Sequence, residues 1–160
     1  MMTDLIGNSS IVTRSKEIAK YLSPVVANLT ALSVDAKQAH WHVRGPNFLQ
    51  IHELLDTVVD HAREQTDILA ERIVALGEPL DARIQKTAKV TTTPELPAGF
   101  QNTDVFIEGI VSQIDATLKL VREAIDALDD IDLPSQDIVI ALATELEKDR
   151  WFLASHLVTK

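Results

Sequence analysis

Residues Phe48 to Leu76 read FLQIHELLDTVVDHAREQTDILAERIVAL, and this stretch carries both the periodicity and the chemistry that decide the rest. At roughly 100° of turn per residue, Phe48, Ile51, Leu55, Val58, Val59, Ala62, Leu69, Ile73 and Leu76 form one apolar stripe, the face a helix turns towards its own core. His52, Asp56, Asp67 and Glu71 lie on the flank of that stripe, spaced 4, 11 and 4 apart. Each close pair is one helical turn apart, so each can chelate a metal ion. Eleven residues bring Asp67 back nearly to the azimuth of Asp56, but roughly 16 Å further along the axis. Two-metal sites hold their ions only roughly 3.5 to 4 Å apart, so one straight helix cannot join both pairs in a single cluster. If both pairs serve one cluster, they come from different chains. An antiparallel, two-fold related copy would set His52 and Asp56 of one subunit against Asp67 and Glu71 of the other, with two equivalent sites per dimer. Leu49 and Val74 point to the same flank, as expected of a surface covered by a partner. Solvated carboxylates are the commoner fate of acids on helices, and the histidines are what weigh against that fate here.

With 160 residues the chain reads as a single domain, 1–160, long enough to bury a proper core. Residues 1–14 read as a flexible tail. There is no cysteine, which excludes a disulfide scaffold and any thiolate metal site. A metal must therefore be held by nitrogen and oxygen, which suits iron, manganese or zinc. No basic region followed by a long apolar run opens the chain, and no window approaches 18 uninterrupted apolar residues. The expectation is a cytoplasmic protein with no membrane partner. The net charge of −9 argues against electrostatic binding of nucleic acid and favours attraction of cations.

Three further helical patterns accompany the first, without strand-like alternation of comparable length. One runs from Ser15 or Ser23 to about His42, with Ile18, Leu22, Val25, Leu29, Leu32, Ala36 and Ala39 on one stripe. Pro24 fits the first position of a helix capped by Ser23; a kinked helix that begins earlier accommodates it as well. A third covers about Thr103 to Asp129, and a fourth about Ser135 to Leu157 with Ser135 as the expected N-cap. Short turns make the first two and the last two helices antiparallel hairpins. Between the hairpins, residues 78 to 102 are long enough to cross a whole bundle, the connection that ferritin-like topology needs. A short helix is expected within it, near Leu80 to Lys86 or Pro94 to Gly99. Ferritin-like di-iron sites usually take a Glu-x-x-His pair from each of two helices, and this chain has none. Such a bundle either binds no metal or has moved its site, and the quartet favours the second.

At this point the chain resembles the Dps miniferritins over essentially its whole length. The resemblance rests on Lys37-Gln38-Ala39-His40-Trp41, on Gly45-Pro46-Asn47-Phe48 through His52-Glu53-Leu54-Leu55-Asp56, on Asp67-Ile68-Leu69-Ala70-Glu71-Arg72, and on Glu147-Lys148-Asp149-Arg150-Trp151-Phe152. It implies an all-α, ferritin-like four-helix bundle assembled as a hollow homo-dodecamer. It implies ferroxidase centres at two-fold interfaces, with His40, His52 and Asp56 from one subunit and Asp67 and Glu71 from its mate. The implied activity is oxidation of Fe(II), preferentially by hydrogen peroxide, with storage of ferric oxide mineral in the cavity. Carboxylates are hard donors that favour Fe(III), and neutral imidazoles bind without adding charge. Trp41, beside His40, could supply an electron to a stray radical, or serve only as a core or interface aromatic.

Other residues carry weaker signals. His61 and Glu64 form a His-x-x-Glu pair on roughly the opposite side of the helix from His52, and read as surface residues. His42 could sit near the centre or face solvent, and His156 reads as a cation at a helix C-terminus. Asp126, Asp129, Asp130, Asp132 and Asp137 cluster about the turn between the last two helices. A solvated turn explains most of them; the resemblance implies that some line an iron-entry pore, and Asp130 and Asp137 are the candidates. DNA-compacting members of the family use a Lys-rich tail, whereas the first sixteen residues here hold only Arg14 and Lys16. DNA binding is expected to be weak or absent. A DNA-compacting protein and, less favoured, a metal-dependent hydrolase using the same residues are the competing functions.

Overall fold

The structure, a computed structural model, describes residues 9–157. The chain forms α1 (Ser9–His42), β1 (Val43–Arg44), α2 (Phe48–Ala75), α3 (Ile84–Val90), β2 (Gln101–Asn102), α4 (Thr103–Leu128) and α5 (Leu133–Ala154). The four long helices make a bundle in which α1 packs on α2 and α4, and α5 on α4 and α2. This is the ferritin-like bundle with a long crossover that carries one short helix. No described helix is long and apolar enough to cross a membrane.

The first helix begins earlier than either serine suggests. It runs continuously through Pro24, and the Ser23 hydroxyl donates to the Ala19 carbonyl at 2.6 Å, a local bond beside the turn where proline removes an N–H donor. Of the expected tail, Ser9 to Arg14 are the opening turns of α1, and residues 1–8 lie outside the described residues. The stripe Ile18, Leu22, Val25, Leu29, Leu32, Ala36 and Ala39 is wholly buried. On α2 the stripe from Ile51 to Ile73 is buried as expected, except that Phe48 is 44% exposed and leans on the His52 ring instead of the core. Each fully buried Leu or Ile contributes roughly 1.5–3 kcal/mol.

The turn between α1 and α2 uses Gly45 at φ 113° and Asn47 at φ 57°, left-handed values that glycine and asparagine tolerate best. Gly77, at φ 87°, closes α2: its N–H donates to Val74 and that of Glu78 to Ile73, which consumes otherwise unpaired carbonyls. The crossover helix falls at Ile84–Val90, overlapping the end of the Leu80–Lys86 window, while residues 94 to 99 are not helical. Buried Asn28 of α1 pins the crossover by bonding Thr91 and Thr92, and buried Gln113 of α4 donates to the Pro94 carbonyl at 2.7 Å and to Asp35 at 2.6 Å. The end of the crossover then pairs in parallel with the α1–α2 turn, Val43 with Gln101 and Arg44 with Asn102. Arg44 lies over the Phe100 ring at 3.4 Å, which fastens this corner further.

The last helix starts two residues before the expected cap. Asp132 is the N-cap, its carboxylate accepting the Ser135 N–H at 3.0 Å, and Ser135 is buried within the first turn. Pro134 occupies that turn, where its missing donor costs nothing.

Candidate metal centre

Two helix ends bring the first three candidate ligands together. His40 stands in the last turn of α1 and His52 in the second turn of α2, and the tight turn between these antiparallel helices sets them side by side. Their rings stack, with centroids 3.6 Å apart and planes 20° from parallel. His40 Nδ1 bonds the His52 carbonyl at 2.7 Å, and His52 Nδ1 bonds the His40 carbonyl at 2.8 Å. A carbonyl only accepts, so each Nδ1 carries a proton, and Nε2 is the ring nitrogen left to face a metal. Both imidazoles are thereby held in the tautomer that ligates metal through Nε2. His40 is 8% exposed, a buried ring with its hydrogen bonding satisfied by backbone.

Asp56 follows one turn after His52, with Oδ1 3.7 Å from His40 Nδ1. Lys37, three residues before His40, is ion-paired with the same carboxylate. The Lys37 hydrogen bond, aided by the Lys37 charge, holds the Asp56 carboxyl below the usual carboxylate range despite some opposing burial. Asp56 is therefore ionised and ready to accept a cation. The place of Lys37 one turn before His40, on the helix face turned to α2, is the sequence signal for this role.

Asp67 and Glu71 stay on the exposed part of α2, away from this cluster. Among the described residues no three His, Cys, Asp or Glu side chains converge to hold a metal within the single chain. Exposed Leu49, Ile68 and Val74 share α2 with the two acids. Trp41 is 61% exposed, so it has no role in the subunit's core. His42 bonds the Gln38 carbonyl at 2.9 Å and tilts against Phe100, away from the stacked pair.

Matched against known families, the ferritin-like domain named Ferritin covers residues 19–159. The chain is 31% identical over 144 residues to the DNA protection during starvation protein of Mycolicibacterium smegmatis, covering 90% of this chain and 79% of that one. The chain belongs to the Dps family of ferritin-like proteins. A second member, the DNA protection during starvation protein of Agrobacterium fabrum, is 31% identical over 140 residues, 87% of this chain and 86% of its own. Among solved structures, Dps from Microbacterium arborescens in the high iron form superposes with a TM-score of 0.88 at 49% identity, covering 94% of this chain and 96% of that one. The tetragonal form of Mycobacterium smegmatis Dps gives 0.88 at 30% identity, with 97% and 94% covered.

Two polar networks of this Dps chain depart from what residue spacing predicts. His61 is not a plain surface residue: its Nδ1 bonds both carboxylate oxygens of Asp149, at 3.0 and 2.9 Å. Asp149 falls among Leu142, Leu146 and Leu153 on the buried stripe of α5, the signal that could have revealed it. Asp132 is taken up by its helix cap and by Arg72, whose guanidinium donates to it at 2.6 Å and to Ser135 at 2.9 Å. Asp130 and Asp137, the pore candidates, are exposed.

Proposed function

We propose that this protein oxidises and stores iron at centres shared between two subunits. His40, His52 and Asp56 of one subunit would bind Fe(II) together with Asp67 and Glu71 of its mate. The observation that carries the reading is the division of the ligand set. Two imidazoles, each bonded through Nδ1 to backbone, stand beside Asp56, while Asp67 and Glu71 lie roughly 16 Å along the same helix, too far to join them in one chain. Exposed apolar side chains around those carboxylates support a covering partner.

The donors fit the substrate. Two imidazole nitrogens and three carboxylates make a hard, mostly anionic site, which draws Fe(II) in and favours Fe(III) once formed. Hydrogen peroxide as oxidant closes the balance: two Fe(II) give one electron each, the O–O bond breaks, and with two protons taken up the peroxide leaves as two waters. No hydroxyl radical is released. Trp41 beside the centre would quench any radical that escapes. A closed homo-dodecamer with a ferric mineral core, Asp130 and Asp137 lining its iron entrance, completes the proposal for a cytoplasmic iron-detoxifying protein.

The relatives named for DNA protection raise a second reading, direct DNA compaction. The net charge of −9 per chain weighs against it. The shared centre is tested by subunit exchange. His52→Ala and Asp67→Ala shells should each lose rapid peroxide-driven Fe(II) oxidation with their helical spectra unchanged. Shells reassembled from a mixture of the two should recover part of it, since one interface site then has every ligand. Absence of recovery in verified mixed shells would sink the proposal.

A further inference from the structure

On the side of α2 away from His52, a second set of polar side chains bridges α2 and α5. His61 and Gln65 stand one turn apart on α2, facing Asp149 and Glu145, one turn apart on α5. His61 gives its Nδ1 proton to buried Asp149, which is 3% exposed. Gln65 Nε2 donates to Glu145 Oε2 at 2.8 Å. What remains is Glu145 Oε1 set 3.8 Å from His61 Nε2, beyond hydrogen-bonding distance, with both residues partly open to solvent.

We propose that His61 Nε2 and Glu145 Oε1 form a second site for a divalent transition-metal cation, contained within one subunit and completed by water. The histidine is already arranged as metal-binding histidines are, with its other nitrogen bonded to a carboxylate that fixes the tautomer and raises the basicity of Nε2. Donors about 2.0–2.2 Å from a common ion stand roughly 3.0–3.4 Å apart, so a shift of about 0.5 Å by the partly exposed Glu145 closes the pair on a cation. One imidazole and one carboxylate select Fe(II), Co(II) or Zn(II) over Mg(II) or Ca(II). With two protein donors, the site binds more weakly than the shared centre. The site does not depend on the inter-subunit reading: nine residues from His52 place His61 roughly 14 Å along the helix and on its other side.

The competing occupant of Nε2 is a proton. Burial opposes it, but the Asp149 hydrogen bond and the charges of Asp149, Glu145 and Glu64 outweigh burial and raise the His61 pKa. Burial raises the Asp149 pKa, against the His61 hydrogen bond and the charges of His61 and Lys148. Binding of a metal must therefore expel a proton, and it strengthens as pH rises from 6 to 8.

The test uses full-length assembled protein carrying His40→Ala, His52→Ala, Asp67→Ala and Glu71→Ala, which removes both halves of the shared centre. Co(II) is titrated by its visible absorption and Zn(II) by calorimetry. About one ion per subunit should still bind, be lost with His61→Gln or Glu145→Gln, and weaken roughly 10–100-fold with Asp149→Asn. Equal binding with and without His61, in variants whose helical spectra are unchanged, would overturn the site. So would the absence of any binding in the starting background, leaving only an imidazolium held between two carboxylates.

Discussion

His40 and His52 each bond the other's backbone carbonyl through Nδ1, so neither imidazole is oriented alone. Removing one ring leaves the other's proton fixed but releases its stacking partner and leaves one carbonyl without its donor. The pair should behave as a unit. In a double-mutant cycle of His40→Ala and His52→Ala, the two losses in Zn(II) affinity should fall short of additivity by about 0.5–3 kcal/mol. Calorimetry on the three variants measures it, and simple addition would show that the rings act independently.

Lys37 and Asp56 set the electrostatics of the same corner. Asp56 has a depressed pKa, so its ionised form stabilises the fold above the ordinary value of 3.8, and this contribution is lost as pH falls through the folded value. Lys37→Met should move the Asp56 pKa back up, measurable by carbon-13 titration of the carboxyl. It should also strengthen Zn(II) binding a few-fold, because a competing cation has gone. An unmoved Asp56 pKa would mean that the ion pair has little hold on the carboxylate.

Asp132 joins α2 to the start of α5. Burial works against its charge, but hydrogen bonds from Ser135 and Arg72 outweigh it and hold the carboxyl below the usual range. Asp132→Ala should cost about 1–2 kcal/mol at neutral pH, from the lost cap together with the unpaired Arg72. The depressed pKa fixes the sign: the difference between variant and parent should be full above pH 3.8 and shrink below it. Urea unfolding at a series of pH values tests this, and a constant difference would contradict it.

A DNA gel-shift at low salt separates iron storage from compaction. With 24 acidic against 15 basic residues, the assembled protein should leave duplex DNA unretarded near neutral pH. Tight retardation that weakens with salt would show a cationic surface that this composition hides.

Much of the fold was legible because helix periodicity is a local property. Every residue of the stripe Ile18 to Ala39 is buried, and Asp67 and Glu71 lie on the exposed side of α2 beside its buried stripe. Helix starts were less legible, since they depend on single hydrogen bonds: the carboxylate of Asp132, two residues before proline, outcompetes Ser135 for the cap. The β1–β2 pairing joins residues 58 positions apart and is too short for any alternation to announce it.

By itself, the order of residues determined that the chain is helical, that a long crossover splits it into two hairpins, and that one helix carries two pairs of polar residues, His52 with Asp56 and Asp67 with Glu71, too distant to meet. These follow from rise and turn per residue, which no neighbour alters. Only the tertiary structure decided that His40 and His52 fix one another's tautomer, that Lys37 holds Asp56, and that His61 finds a buried carboxylate 88 residues away on α5. Each of these is a contact across helices, and its distance depends on how side chains of different segments interlock.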